Sequence, residues 1–300
     1  MRLVASFLAA AAALSSAATA REPLVLAPVK PWNLHYSDNS CQLFRSFGDP
    51  AKPTHLVLES LAPDSSMTMM VFGGALTSRP TQGEGKASFL PATGRSFDEG
   101  KISETTTDKQ TAIYWSGVSL LPESEADQDD KDRDRSQYAV RRAANRALEK
   151  STAATVTALQ VTEPRQRVVV LQTGSLAKVM EMVRLCNREQ MAGWGLDPAV
   201  QDKIVLGAKV TRPLAALFSD NDYPREAIRN GEISVVAVRL IVGADGKVSR
   251  CTPLTPFTGD GFKEVVCQRL SKAVFEPAQL ADGTKVPTFT ITRIDFRLPG

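Results

Sequence analysis

Asp222-Tyr-Pro-Arg-Glu-Ala-Ile-Arg-Asn-Gly231 opens, and Phe289-Thr-Ile-Thr-Arg-Ile-Asp-Phe-Arg-Leu298 closes, a stretch that reads as a complete small unit of the α+β class. Pro224 suits the first turn of a helix, where its missing N–H has no partner to lose, and Gly231 suits a left-handed stop. From Ile233 to Val242 both parities are apolar, interrupted only by Ser234 and Arg239, which predicts a strand covered on both faces. Asp245-Gly246 supplies a tight turn through residues that tolerate positive φ, and Lys247 to Leu254 follows as a second strand. Pro253, Pro256 and Gly259 end it. Asp260 is the expected N-cap of a helix with Phe262, Val266, Leu270 and Ala273 on one face. Past Pro277 and the Asp282-Gly283 turn, Val286 to Leu298 is a last strand whose alternation changes phase near Thr292, where a bulge is expected.

The order helix, strand, strand, helix, strand, with Tyr223-Pro224 at the start, Asp245-Gly246 in the hairpin and Phe275-Glu276-Pro277-Ala278 after the second helix, resembles the TonB C-terminal domain family over the last quarter of the chain. The resemblance implies a three-stranded antiparallel sheet packed by two helices. It also implies a periplasmic binding module rather than an enzyme. In that family the last strand is an exposed edge onto which the "TonB box" of an outer-membrane receptor adds as a further strand. Tyr223 and Pro224 then fix the start of the module, and Thr288, Thr290, Thr292 and Arg293 belong to the docking edge. The family's peptide-contacting Gln, three positions before the Tyr, is replaced here by Asp220, which bears on partner preference.

Strand addition also has a physical warrant of its own, since an edge presents unpaired N–H and C=O groups that an extended peptide satisfies. The segment is Val286 to Arg297. The competing readings are an ordinary edge protected by Arg293, Asp295 and Arg297, and an edge that pairs with a second copy of itself in a structural envelope protein. Proline at Thr290 or Thr292 is expected to separate these, by abolishing receptor-peptide binding in one case and a dimer in the other.

Met1 to Ala20 carries Arg2, an apolar run from Leu3 to Leu14, and Ala18-Thr19-Ala20, the pattern of a cleaved secretory signal. The run is short of the roughly 20 residues of a membrane span. An uncleaved inner-membrane anchor is the alternative, because transducers of the resembled family are held by such a helix. This segment has no ionisable group facing a bilayer, and no long proline-rich spacer follows it. The remaining roughly 280 residues suffice for two cored domains: a strand-rich unit over 21–198, a connection over 199–222 and the C-terminal module over 223–300. A net charge of +3 from 36 basic and 33 acidic residues, with three Trp and four Tyr and no basic run interleaved with aromatics, leaves no nucleic-acid footprint.

Four cysteines in an exported chain suggest two disulfides. Cys251 on the second strand and Cys267 on the following helix can staple the C-terminal module, which leaves Cys41 and Cys186 to close a long loop worth about 4–5 kcal/mol in the entropic description. No spacing of Cys or of the two histidines, His35 and His55, matches a metal site, and no cofactor motif is present.

The N-terminal unit alternates over Cys41–Phe47, His55–Leu61, Met67–Phe72, Thr111–Leu120, Thr155–Val161 and Arg167–Leu171, each run bounded by turn residues. Met67, Met69 and Val71 alternate with Thr68, Met70 and Phe72, which suggests burial on both faces. Helices are expected over Tyr138–Lys150 and Ser175–Gln190, and a strand over Lys203–Val210. Glu123 to Arg135 reads as a solvated charged loop. Its Asp127, Asp129, Asp130, Asp132 and Asp134 lack the central Gly and terminal Glu of a helix-loop-helix calcium site. Ser175-Leu-Ala-Lys178 matches the Ser-x-x-Lys of penicillin-binding acyl-enzymes, and Ser219-Asp220-Asn221 and Ser37-Asp38-Asn39 match their second motif. No Lys-Thr-Gly follows, so this serine chemistry is a remote alternative.

Overall fold

The structure is a computed structural model that describes residues 22–105, 108–122, 134–165, 167–254 and 259–298. The expected export signal, and the acidic stretch with Asp127, Asp129, Asp130 and Asp132, lie outside these residues. Among the described residues no helix is long and apolar enough to cross a membrane.

Ten strands form the N-terminal sheet: β1 (Leu24–Leu26), β2 (Asn33–Tyr36), β3 (Cys41–Phe47), β4 (Thr54–Ser60), β5 (Met67–Gly73), β6 (Gly85–Leu90), β7 (Phe97–Glu104), β8 (Thr111–Val118), β9 (Ala158–Thr162) and β10 (Val168–Leu171). Their spatial order is β1-β10-β9-β6-β7-β8-β5-β4-β3-β2, antiparallel throughout except between β1 and β10. The sheet curls until its ends meet. Beyond β1, the Gly48 N–H donates to the Ala27 carbonyl (2.9 Å) and the Val29 N–H to that of Ser46 (2.8 Å), which closes a barrel against β3.

Its interior is filled by alternate residues, including Leu43, Phe47, Leu56, Leu58, Met69, Val71, Phe89, Ile113 and Trp115, all fully buried or nearly so. Only one face of β5 belongs to this core. Met67, Met69 and Val71 point in, whereas Met70 and Phe72 are half-buried outside, where the His55 ring lies between Phe44 (5.1 Å) and Phe72 (4.8 Å). Strands β6 and β7 are not legible from alternation because two of their inward positions are Gly85 and Gly100. A Cβ on Gly100 would stand 2.5 Å from the Trp115 ring, and the Trp115 indole N–H donates to the Gly85 carbonyl at 3.2 Å.

Helices α1 (Tyr138–Thr155) and α2 (Ala177–Gly193) pack Ala153, Val179, Met180, Val183 and Cys186 into the same core. Cys186 bonds Cys41 on β3 across 145 residues of chain. The expected strand over 203–210 shrinks to β11 (Lys209–Val210), and a short helix α3 (Pro198–Gln201) precedes it. Ala208, Val210, Leu214, Leu217 and Phe218 lie against the C-terminal core.

That core is built by α4 (Arg225–Asn230), β12 (Ser234–Val242), β13 (Val248–Pro253), α5 (Asp260–Leu270) and, after the short pairs β14 (Phe275–Glu276), β15 (Ala278–Gln279) and β16 (Lys285–Val286), by β17 (Thr288–Phe296). The sheet order is β13-β12-β17, antiparallel. Helix α5 starts at Asp260 with Gly259 in the capping position, one residue before the cap expected. In the β12–β13 hairpin only Gly246 takes positive φ, +79°. The Gly246 N–H bonds the Gly243 carbonyl (2.9 Å), so the connection is a turn closed by one left-handed residue rather than a two-residue turn.

The double apolar parity of β12 has a simple cause. Val236, Val238, Leu240 and Val242 face Phe262, Val266 and Leu270 of α5, each worth about 1.5–3 kcal/mol when fully buried. Ala237 and Ile241 face the N-terminal unit, meeting Leu61, Ala62, Met191, Trp194 and Leu196. The same arrangement removes the expected bulge in β17. Its register with β12 is unbroken from Thr288↔Val242 to Phe296↔Ser234. The apolar phase changes because Phe289 and Ile291 pack on the N-terminal side, while Ile294 and Phe296 pack on the helix side. The sheet's irregularity lies instead between Ile241 and Val242, in the pairing with β13.

Candidate functional site

Strand β17 has β12 as its one strand neighbour among the described residues, and alternation decides what it offers on the other side. The Leu254 N–H donates to the Ala237 carbonyl (2.8 Å). Odd-numbered residues of β12 from Ala237 to Ile241 therefore turn their backbone groups to β13, and even-numbered ones turn theirs to β17. Carried through the register, Thr288, Thr290, Thr292 and Ile294 bond inward. Phe289, Ile291, Arg293 and Asp295 are left with N–H and C=O groups directed outward. Thr290 and Thr292 thus belong to the internal ladder, and proline at either breaks the sheet rather than its edge; Ile291 and Arg293 are the positions that probe the rim.

The expected site residues separate into three groups. Thr288 is buried and donates its hydroxyl to Gln201 Oε1 (2.8 Å), while Gln201 Nε2 donates to the Pro287 carbonyl (2.8 Å). It is an anchor between α3 and the start of β17. Thr290 and Thr292 are half-buried on the face shared with Ile294. Arg293 is exposed on the opposite face. Beside this end of β17, Val235 and Ile233 are exposed at 51% and 70%, and Val235 pairs directly with Asp295. The open rim therefore has apolar side chains next to its charged ones.

Tyr223 is held inside the module. Its ring meets Phe262 and Phe296 edge-on, each at 5.6 Å between centroids, and its hydroxyl donates to the Glu232 carbonyl. Pro224 immediately precedes α4. Asp220 is exposed in a single 3₁₀ turn. The acid that organises this turn is Asp222, which accepts from the Ser219 N–H (2.8 Å) and hydroxyl (3.1 Å) and from Arg269 Nε (2.7 Å). Burial would raise its carboxyl, but Arg269 and Ser219 hold it below the usual carboxylate range. The pattern Ser219-x-x-Asp222 was the sequence signal for it, the reciprocal cap of a helical turn.

Both disulfides form as read, Cys41–Cys186 and Cys251–Cys267. Asp134 caps the turn before α1, accepting from the Ser136 N–H (2.9 Å) and hydroxyl (2.6 Å). The serines of the acyl-enzyme motifs are turned onto their own neighbourhoods: Ser175 to the Ala153 carbonyl (3.4 Å), Ser37 to the Ser40 carbonyl (3.1 Å) and Ser219 to Asp222. Lys178 is exposed.

No curated protein matches the chain. Residues 219–298 match the protein family described as Gram-negative bacterial TonB protein C-terminal. The match begins at the Ser219 cap and ends two residues past β17, so it encloses both helices and all three strands of the sheet. Over its C-terminal quarter the chain is thus similar to the TonB C-terminal domain family, as the order of its elements leads one to expect.

Proposed function

We propose that the protein is an exported, non-enzymatic binding protein of the periplasm whose C-terminal domain recruits an outer-membrane receptor segment by adding it to β17. The observation that supports this most is the unpaired rim of β17, nine residues long, with outward backbone groups at Phe289, Ile291, Arg293 and Asp295. Backbone pairing supplies affinity that any extended segment can use, and alternate side chains supply choice. Here the choice falls to exposed Arg293, Asp295, Val235 and Ile233, which favour a segment mixing apolar and charged residues.

Arg293→Pro tests the reading because it deletes one outward N–H and none of the inward ones. Titrated with a synthetic TonB-box peptide, the purified protein should bind and the variant should lose binding, with its thermal unfolding moved little. Thr292→Pro should instead destabilise the domain by about 3 kcal/mol or more, as proline does where its N–H was bonded within a regular element. Unchanged peptide affinity in Arg293→Pro would sink the docking proposal. A dimer that becomes a monomer in that variant, with no peptide binding in either form, would assign the rim to self-association.

A further inference from the structure

Between the barrel and the C-terminal sheet lies a cavity of about 360 Å³, with Asp38, Asn39, Gln190, Trp194, Arg239 and Arg250 on its walls. Arg239 sits at the middle of β12 and is 3% exposed. Its guanidinium lies over the Trp194 ring, 3.8 Å from the centroid, a favourable cation–π position. One terminal nitrogen donates to Asn39 Oδ1 (2.9 Å) and the other reaches the Asn39 carbonyl at 3.5 Å. Nε has no partner. Arg250, diagonal to it across the β12–β13 ladder, is exposed. Among the described residues neither arginine forms an ion pair, and Asp38, the acid of this wall, is exposed and bonded to neither. Burial and the nearby Arg250 pull the Arg239 guanidinium down to about 10.

A second wall group is also incomplete. Gln190 is fixed by its amide, which donates to the Ser37 and Ser40 carbonyls at 2.9 Å each, and its buried Oε1 is left without a donor. A buried cation without a counter-charge is costly, and an orphaned buried acceptor adds to that cost. Two positive groups without a counter-charge and a volume near the lower end for small-molecule sites describe one kind of occupant.

We propose that this cavity binds a small organic anion whose carboxylate or phosphate group is held by Arg239 and Arg250. A planar guanidinium suits either oxyanion. The bound anion joins β12 and β13 to the loop before β3 and to α2, and so ties the two units of the chain together across their seam.

The test follows the Arg239 Nε–H resonance of the full disulfide-bonded protein by ¹H–¹⁵N spectroscopy during titration with succinate, with inorganic phosphate and with neutral succinamide. Saturation by succinate would place a carboxylate in the cavity, and saturation by phosphate a phosphate. Succinamide should leave the resonance unmoved. Arg250→Gln, a change at an exposed position that keeps the fold, should weaken the anion that binds about tenfold, the effect of losing one charge-assisted hydrogen bond. The proposal fails if neither anion saturates the shift at roughly millimolar concentration, or if Arg250→Gln binds as the parent does.

Discussion

The two sheets of this protein answer the same problem in opposite ways. The N-terminal sheet curls until the residues after β1 reach β3, so that only its short end strands, β1 of three residues and β2 of four, keep a side without a strand partner. The C-terminal sheet stops at three strands. One of its rims, β13, is short, carries Pro253 and is stapled to α5 through Cys251–Cys267; the other, β17, runs nine residues with no proline or staple, only the exposed charges of Arg293 and Asp295. Proline, brevity and covering elements are the usual means of blunting a rim. A chain that applies them at β13 and closes its larger sheet, yet leaves β17 open, has an asymmetry that the docking proposal accounts for.

The largest expected effect would break the closed half. Replacing Cys41 and Cys186 together by Ala frees a loop of 145 residues and should cost about 5 kcal/mol in the chain-entropy description, read by denaturant unfolding of the non-reduced protein. If the C-terminal domain unfolds in the same transition, the seam makes the two sheets one cooperative unit. The matching change at Cys251 and Cys267 opens only 16 residues and should cost about 3 kcal/mol.

A smaller effect sharpens the contrast between the two rims. At Gly246, where φ is +79°, a Cβ would stand 2.1 Å from the Phe275 carbonyl oxygen, so Gly246→Ala should cost at least about 1–3 kcal/mol and loosen the β13 side. Gly231 also has positive φ but open space around it, and Gly231→Ala should cost only about 1 kcal/mol. Equal losses at the two sites would mean that conformation alone, not the close approach to Phe275, fixes the hairpin.

The smallest effect belongs to the barrel's outer face. Burial between Phe44 and Phe72 pushes the His55 imidazole below its usual value of 6.5. The unfolded chain then binds more protons, so this contribution is complete above pH 6.5 and is lost as pH falls through the folded value. Unfolding free energy measured against pH should decline over that window, and His55→Gln should flatten the decline.

Much of the C-terminal architecture was legible because each signal was local: Pro224 and Gly231 around α4, Gly246 in the hairpin, Phe262, Val266 and Leu270 along α5. Strand β3 emerged with the bounds Cys41–Phe47 for the same reason. What escaped depends on partners distant in sequence. Gly85 and Gly100 bring no side chain to an alternating pattern, and only Trp115, laid across them, shows why glycine stands there. The phase change at Thr292 looked like a bulge because nothing local says that the two ends of a strand are covered by different bodies. The choice between Asp220 and Asp222 rested on Arg269, 47 residues away. Trp194 and Arg239 gave no sign of meeting. The outward residues of β17 were invisible for a subtler reason: sequence gives side-chain parity, but which parity bonds to β12 depends on the register with β13.

The unbroken ladder between β12 and β17 also fixes how the domain would carry a load. A segment paired along β17 and pulled along its own axis would strain its rungs side by side, so that they yield together rather than one after another from an end. With the barrel seated behind the sheet through Ile241, Phe289 and Ile291, such tension would pass into the wide body of the molecule, and the small domain would serve as a cleat.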